Sequence, residues 1–373
     1  MIYSEFVNAA AVNKSRDALI VDGEKLDYKQ LHSMIESAAI ALLQQGIGRG
    51  DVILLIVPNG TGFVVSVFAA LAVGAVVVPI NTRFPLDEVE YYLQSSDAGL
   101  IIHDGAEALY RDAGFDVAMK DVAELMDGET SGSFEPVELS PDDPALYMYS
   151  SGSTGKPKRV TRTHGQILSE YSSLSQTISL SSADRILCTV PLYHAHGFGN
   201  CMMASLLSGA CLVIVTGEFN GRDAMRAISQ QRISIYPAVP FMYKMIADSF
   251  FKETPNLSNV RLMFSAGAPL PDEVEAKFFE KFNIHIRQLY GSTETGAVAI
   301  SYGENSGEVD SVGRPLHGVQ IDIFDEEGRV ISNGAIGDVA IHSPAMTHQY
   351  DGLPDATSEC FIDNYFYPGD LGC

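Results

Sequence analysis

Residues 63 to 80 read FVVSVFAALAVGAVVVPI, and residues 197 to 215 read GFGNCMMASLLSGACLVIV. Neither run contains a charged side chain, and each approaches the roughly 18 to 20 apolar residues that would cross a bilayer. Both, however, divide at a Gly-Ala pair, Gly74-Ala75 and Gly209-Ala210. Small and aliphatic residues of helical character precede the pair, and a β-branched stretch, VVVPI or CLVIV, follows it. Each run therefore reads as buried helix, turn and buried strand, not as a membrane span. The shared plan is a weak internal repeat that predicts two similar α/β subdomains.

Outward from these runs, residues 127 to 145 are rich in Gly, Ser, Pro and acid and mark an exposed connection, after which Leu146 to Tyr149 re-enter as a strand. From Tyr302 onward short β-like stretches (319–324, 339–342) alternate with Gly, Pro and Asp turns, without a helical period. The expected organisation is an α/β unit over 51–185, a second over 15–50 with 186–301, and a small β-barrel-like unit over 302–373. That last segment holds thirteen acidic residues against Arg314 and Arg329 alone, the pattern of a solvated acidic face.

The 373 residues suffice for a large core, with 46% hydrophobic side chains. A net charge of -23, from 24 basic against 47 acidic residues, repels polyanions and argues against nucleic acid or an anionic membrane as a partner. The five cysteines (188, 201, 211, 360 and 373) form no CxxC pair, and the opening MIYSEFVNAA has no basic region followed by an apolar one. Free thiols in the cytoplasm are expected.

The segment that carries chemistry is Tyr149-Ser-Ser-Gly-Ser-Thr-Gly-Lys-Pro-Lys158, a loop after a strand and before a helix starting near Gln166. Ser150, Ser151, Gly152, Ser153, Thr154, Gly155 and Lys156 suit a phosphate. Glycines let backbone N–H groups approach the anion, hydroxyls donate further bonds, and lysine neutralises charge. The spacing is not that of a Walker loop, since Pro157 stands where its second glycine belongs. No acid occurs between Asp143 and Glu170, while Lys156, Lys158, Arg159 and Arg162 all do, so a cationic island interrupts an acidic chain.

Read with Tyr290-Gly-Ser-Thr-Glu-Thr295, the loop resembles the adenylate-forming superfamily of acyl-CoA synthetases, luciferases and peptide-synthetase adenylation domains. The order also matches: Gly74 to Ile80, the loop, Pro191-Leu-Tyr-His194, Ser265-Ala-Gly-Ala-Pro-Leu270, Tyr290 to Glu294, Ser311-Val-Gly-Arg-Pro315 and Pro368-Gly-Asp-Leu371. The resemblance covers essentially the whole chain and implies the large N-terminal domain of an enzyme that activates a carboxylic acid with ATP and Mg²⁺. It implies that Glu294 holds the metal and that Thr293 meets the α-phosphate. Lys158 faces the outer phosphates, Tyr290 packs on adenine, Gly267, Ala268 and Pro269 form a purine wall beside Gly291 and Ser292, and Asp370 accepts from the ribose. Two departures stand out, Pro368 in place of the usual threonine and Arg159 in place of the usual glycine.

His194 matches the position that the family sets beside the substrate carboxylate. On a strand, His194 and His196 would face one side, although no further ligand cluster supports a metal there. Phe198, Tyr236, Pro237, Ala238, Val239, Gly267, Gly291 and Gly296 are expected to complete a small, aromatic and apolar acyl pocket, which favours a neutral acyl or aryl tail. Ala195 disfavours dihydroxybenzoate, while the His-x-His-Gly pattern keeps short dicarboxylic acids open. The thiol acceptor is expected to be CoA or a carrier-protein phosphopantetheine. The chain is expected to be a fragment ending before the family's C-terminal domain and its bridging lysine; the competing reading is a short, non-catalytic nucleotide-binding homologue.

Overall fold

A computed structural model describes residues 1–127, 134–150, 157–302, 311–331 and 334–373. Ser151, Gly152, Ser153, Thr154, Gly155 and Lys156 lie outside the described residues. The architecture is α/β, with two mixed sheets and a smaller antiparallel one.

In the six-stranded sheet the order is Ala118–Asp121, Leu100–His103, Val52–Ile56, Val76–Pro79, Pro144–Ser150, Lys158–Thr163. The first five strands run parallel and the last turns back as a hairpin. Its unbroken aliphatic runs follow from burial on both faces, because successive side chains alternate sides. Ile53, Leu55 and Val77 face the main core, whereas Leu54, Ile56 and Val78 meet an outer cluster with Val89 and Tyr92 of the helix Leu86–Ser96.

The nine-stranded sheet runs Arg314–Pro315, Gly296–Ile300, Ile286–Ser292, Leu262–Ser265, Ile235–Ala238, Arg185–Cys188, Cys211–Ile214, Asp17–Val21, Glu24–Asp27. Arg314–Pro315 joins it although it falls in the segment read as a separate β unit, since the pair adds antiparallel to Gly296–Ile300. One core, shared by both sheets, encloses the helices Ile2–Val12, Tyr28–Gln44 and Thr61–Val73. Phe6 sits 6.2 Å from Tyr28 and 4.8 Å from Phe68, ring centre to ring centre.

Local chemistry sets the element ends. Asp27 and Gln30 form a capping box that starts Tyr28–Gln44, and Thr163 with Gln166 does the same for His164–Thr177. Thr61–Val73 ends at Gly74 in the left-handed region (φ 78°), where a side chain would be strained. The third sheet orders Gln320–Phe324, Gly337–His342, Tyr365–Phe366 and Phe361–Ile362, with Leu371–Gly372 on Gly337–His342. Beside it lies the helix Pro354–Cys360, which no periodicity announced because none of its residues is buried. No helix among the described residues is long and apolar enough to cross a membrane, and all five cysteines are free.

Candidate active site

Where the strand ends of both large sheets meet the small sheet, a cavity of about 820 Å³ opens. Three groups of side chains reach it. The first is the turn after Ile286–Ser292, which presents Ser292, Thr293 and Glu294 beside Ser150 and Lys158 of the hairpin. Glu294 is buried, and its Oε1 accepts a 2.8 Å hydrogen bond from the Tyr350 hydroxyl. Burial, then the Glu294 charge, pushes the Tyr350 hydroxyl up, so that it stays protonated and donates. Lys158 Nζ stands 4.5 Å from the centre of the Tyr350 ring, a cation–π contact that brings this lysine beside the carboxylate's anchor.

Glu294 Oε2 makes no hydrogen bond to another described residue. A single hard carboxylate oxygen facing a cavity, next to a lysine, fits a Mg²⁺ that keeps most of its ligands as water and phosphate oxygen. Among the described residues no cluster of three or more His, Cys, Asp or Glu could hold a metal by itself.

The second group is Asp370; Tyr290, expected to pack on adenine, falls outside the lining and is tied to the cavity through Asp370. The Tyr290 hydroxyl donates to Asp370 Oδ2 at 2.5 Å, and burial together with that carboxylate holds the phenol well above its ordinary range. Asp370 lines the cavity with Pro368 and Tyr367, and Gly267 and Gly291 form its adjacent floor; Ala268 and Pro269 are exposed and fall outside the lining.

The third group is built on the loop Pro191 to His196. Asn59 holds this loop from the other half of the molecule, donating to Val190 O and accepting from Leu192 N, both at 2.8 Å. His194 and His196 do not lie on a strand: His194 precedes the short helix Ala195–Gly197, and a π-helical turn, Phe198–Met203, follows. His196 Nε2 meets Ala238 O at 3.2 Å and its Nδ1 meets Asn200 Nδ2 at 3.0 Å. Burial pushes His196 down to about 4 and also lowers His194, so both are neutral near pH 7.

Several expectations change here. Phe198, Tyr236, Pro237 and Ala238 do not line the cavity. Tyr236 lies fully inside the core with its hydroxyl 3.0 Å from Thr189, because the strand Ile235–Ala238 is covered on both faces. His194, Val239, Gly267, Gly291 and Gly296 do line it. The cationic island is largely internal: Arg159 pairs with Asp351 at 2.9 Å and donates to Ser95 O, and Arg162, 2% exposed, pairs with Glu170 at 2.9 Å. Among the described residues of the island, Lys158 alone lines the cavity.

Sequence reasoning missed Glu170, Asn200 and Tyr350, all of which line the cavity. The pocket is therefore more polar than an apolar acyl tunnel. Its one sequence signal was Glu170, the acid that ends the acid-free stretch after Asp143.

The AMP-binding enzyme family matches residues 6–351. Feruloyl-CoA synthase of an Amycolatopsis species is 29% identical over 369 residues, covering 98% of this chain and 74% of that protein. The oxalate–CoA ligase of Arabidopsis thaliana is also 29% identical, covering 98% and 75%. The inhibitor-bound N-terminal domain of FACL13 from Mycobacterium tuberculosis superposes with a TM-score of 0.90 at 27% identity, covering 100% of this chain and 96% of that one. The chain belongs to the AMP-binding enzyme family.

Proposed function

We propose that this member of the AMP-binding enzyme family binds ATP and a carboxylic acid in the 820 Å³ cavity and joins them as an acyl-adenylate. The observation that carries the reading is the convergence there of the Thr293–Glu294 turn, Lys158, Asp370 and neutral His194. The substrate carboxylate attacks the α-phosphorus in line, pyrophosphate leaves, and the acyl group becomes a mixed anhydride with AMP. Mg²⁺ on Glu294 would supply charge neutralisation at the phosphates.

The remaining work belongs to positioning. Arg162 Nη1 donates to Thr293 O at 3.0 Å and holds the turn that carries the Thr293 hydroxyl, the group assigned here to the α-phosphate. Lys158 draws charge from the leaving pyrophosphate. Asp370 keeps Oδ1 for a ribose hydroxyl while Oδ2 receives Tyr290. Neutral His194 donates an N–H to the incoming carboxylate without leaving an unpaired buried charge. The relatives are named as CoA ligases or synthases, which favours CoA over a carrier protein as the thiol that displaces AMP. The free thiols suit a reducing compartment.

Calorimetry with adenosine 5′-sulfamate and its acylated forms, which imitate the adenylate, tests the reading. Binding is expected; a folded chain that binds none of them would favour a non-catalytic scaffold. In Glu294→Gln, affinity for Mg-ATP should fall far more than affinity for AMP without magnesium. Equal losses would remove Glu294 from the metal and leave it a structural role.

A further inference from the structure

We infer that Glu170 and Asn200 read the far end of the carboxylic acid, and that the acid carries a hydroxyl there; the inference rests on the adenylate reading above. Glu170 projects from His164–Thr177 into the cavity wall and is 7% exposed. Its Oε2 is taken by Arg162 at 2.9 Å, whereas Oε1 receives only a long 3.3 Å bond from Ala297 N. One lone pair of a buried carboxylate therefore remains open.

Two glycines make room for that carboxylate. A Cβ at Gly199 would lie 2.7 Å from Glu170 Oε1, and one at Gly296 would lie 2.3 Å from its carboxyl carbon. The carboxylate thus fills the notch between the π turn and the strand Gly296–Ile300, and closes the pocket at that point. The acid is short, since a long alkyl tail would have to displace a paired charge.

Asn200 supplies the second acceptor. Its Nδ2 is committed to His196 Nδ1 at 3.0 Å; burial keeps His196 neutral, and its Nε2–H donates to Ala238 O at 3.2 Å, which leaves Nδ1 as the acceptor. That chain fixes the amide so that Oδ1 is left over, buried and without a partner among the described residues. One acceptor without a donor, Asn200 Oδ1, and one with only a long backbone bond, Glu170 Oε1, call for a donor from the ligand. An alkyl end supplies none, and a carboxylate end repels both. An ammonium would add an unbalanced charge, because Arg162 already neutralises Glu170. A hydroxyl donates its one proton to Glu170 Oε1 or Asn200 Oδ1 without adding charge.

The test uses this chain and matched adenosine sulfamates that differ by hydroxyl against methyl: 4-hydroxybutanoyl with pentanoyl, and 4-hydroxybenzoyl with 4-methylbenzoyl. Calorimetry should show the hydroxyl member binding at least about tenfold more tightly in one pair, the scale of a hydrogen bond to a charged acceptor. Glu170→Gln, which keeps the shape, and the charge-balanced double change R162M with E170L should each reduce that ratio toward one. Equal binding within both pairs, with adenosine sulfamate itself bound, overturns the inference and leaves adenylate formation standing. A hydroxyl preference that persists in both variants assigns recognition to other groups and also overturns it. No binding of adenosine sulfamate by the folded chain removes the adenylate reading, and this inference with it.

Discussion

The two helix–turn–strand copies begin from similar sequence texture and end as different objects. Both turn at a left-handed glycine, Gly74 at φ 78° and Gly209 at φ 76°. Thr61–Val73 is one regular helix with every residue from Phe63 to Val73 buried. Its counterpart is split into Ala195–Gly197, the π turn Phe198–Met203 and Ala204–Leu207. The wider winding places Gly199 against Glu170 and Asn200 against His196. A regular copy fills the core, and a distorted copy builds a site, the setting in which π turns recur.

The largest test of that contrast removes one charge beside the distorted copy. Arg162→Met leaves Glu170 buried and unpaired, and should cost about 3 to 5 kcal/mol, whereas R162M with E170L should cost less than about 1.5 kcal/mol. Urea unfolding of the three proteins measures both. Equal losses for the single and double changes would show that packing, not charge balance, holds this corner.

Next comes the tolerance of the two copies to one added methyl. A Cβ at Gly197 would lie 2.2 Å from the backbone oxygen of Pro191, while one at Gly62 would lie 2.7 Å from a side-chain methyl of Val122. Gly197→Ala should therefore lose about 2 to 3 kcal/mol and Gly62→Ala less than about 1 kcal/mol, because backbone cannot step aside as a side chain can. Similar denaturation midpoints would erase the distinction.

Acid sensitivity should also separate the regions. Residues 61 to 79 hold no titratable group, but burial pushes His196, in the distorted copy, and His164, at the start of Glu170's helix, down to about 4 from 6.5. A histidine whose folded value is depressed contributes its full stability above the unfolded value and loses it as pH falls from 6.5 toward 4. Each should cost about 2 kcal/mol by pH 5 relative to pH 7.5. Unfolding free energies at the two pH values give the total, and His164→Asn should flatten the dependence by one histidine's share. An unchanged slope would place the titrating group elsewhere.

The smallest effect compares two helix caps. Asp27→Ala and Thr163→Ala each remove a capping box and should cost about 1 kcal/mol. Asp27's helix packs on the regular copy and Thr163's on the π turn. Only Thr163→Ala should also weaken binding of the preferred acyl sulfamate, by roughly two- to threefold, because its helix carries Glu170. Equal binding by both variants would detach the acyl end from that helix.

Much of this molecule is local in origin, and so it was legible. Uncharged runs broken at Gly-Ala specify buried helix and buried strand whatever surrounds them, and the turn holding Thr293 and Glu294 presents its chemistry within five consecutive residues, Tyr290 to Glu294. The rest of the cavity lining was not legible in the same way. Tyr236 was read as pocket and proved to be core, because a strand covered on both faces gives no sign of which side opens to a cavity.

The arginine cluster shows the same limit most clearly. From the chain alone, Arg159 and Arg162 count as cations near a phosphate loop; in space they end on Asp351 and Glu170. Composition and order determined the α/β class and the family, since helix and strand periods and short motifs are written in neighbouring positions. Pairing decided the rest. Whether a charge reaches the cavity or is cancelled 2.9 Å away by a residue 192 positions along the chain, as Arg159 is by Asp351, depends on which turns and helices the fold lays beside a strand, and only the tertiary structure holds that information.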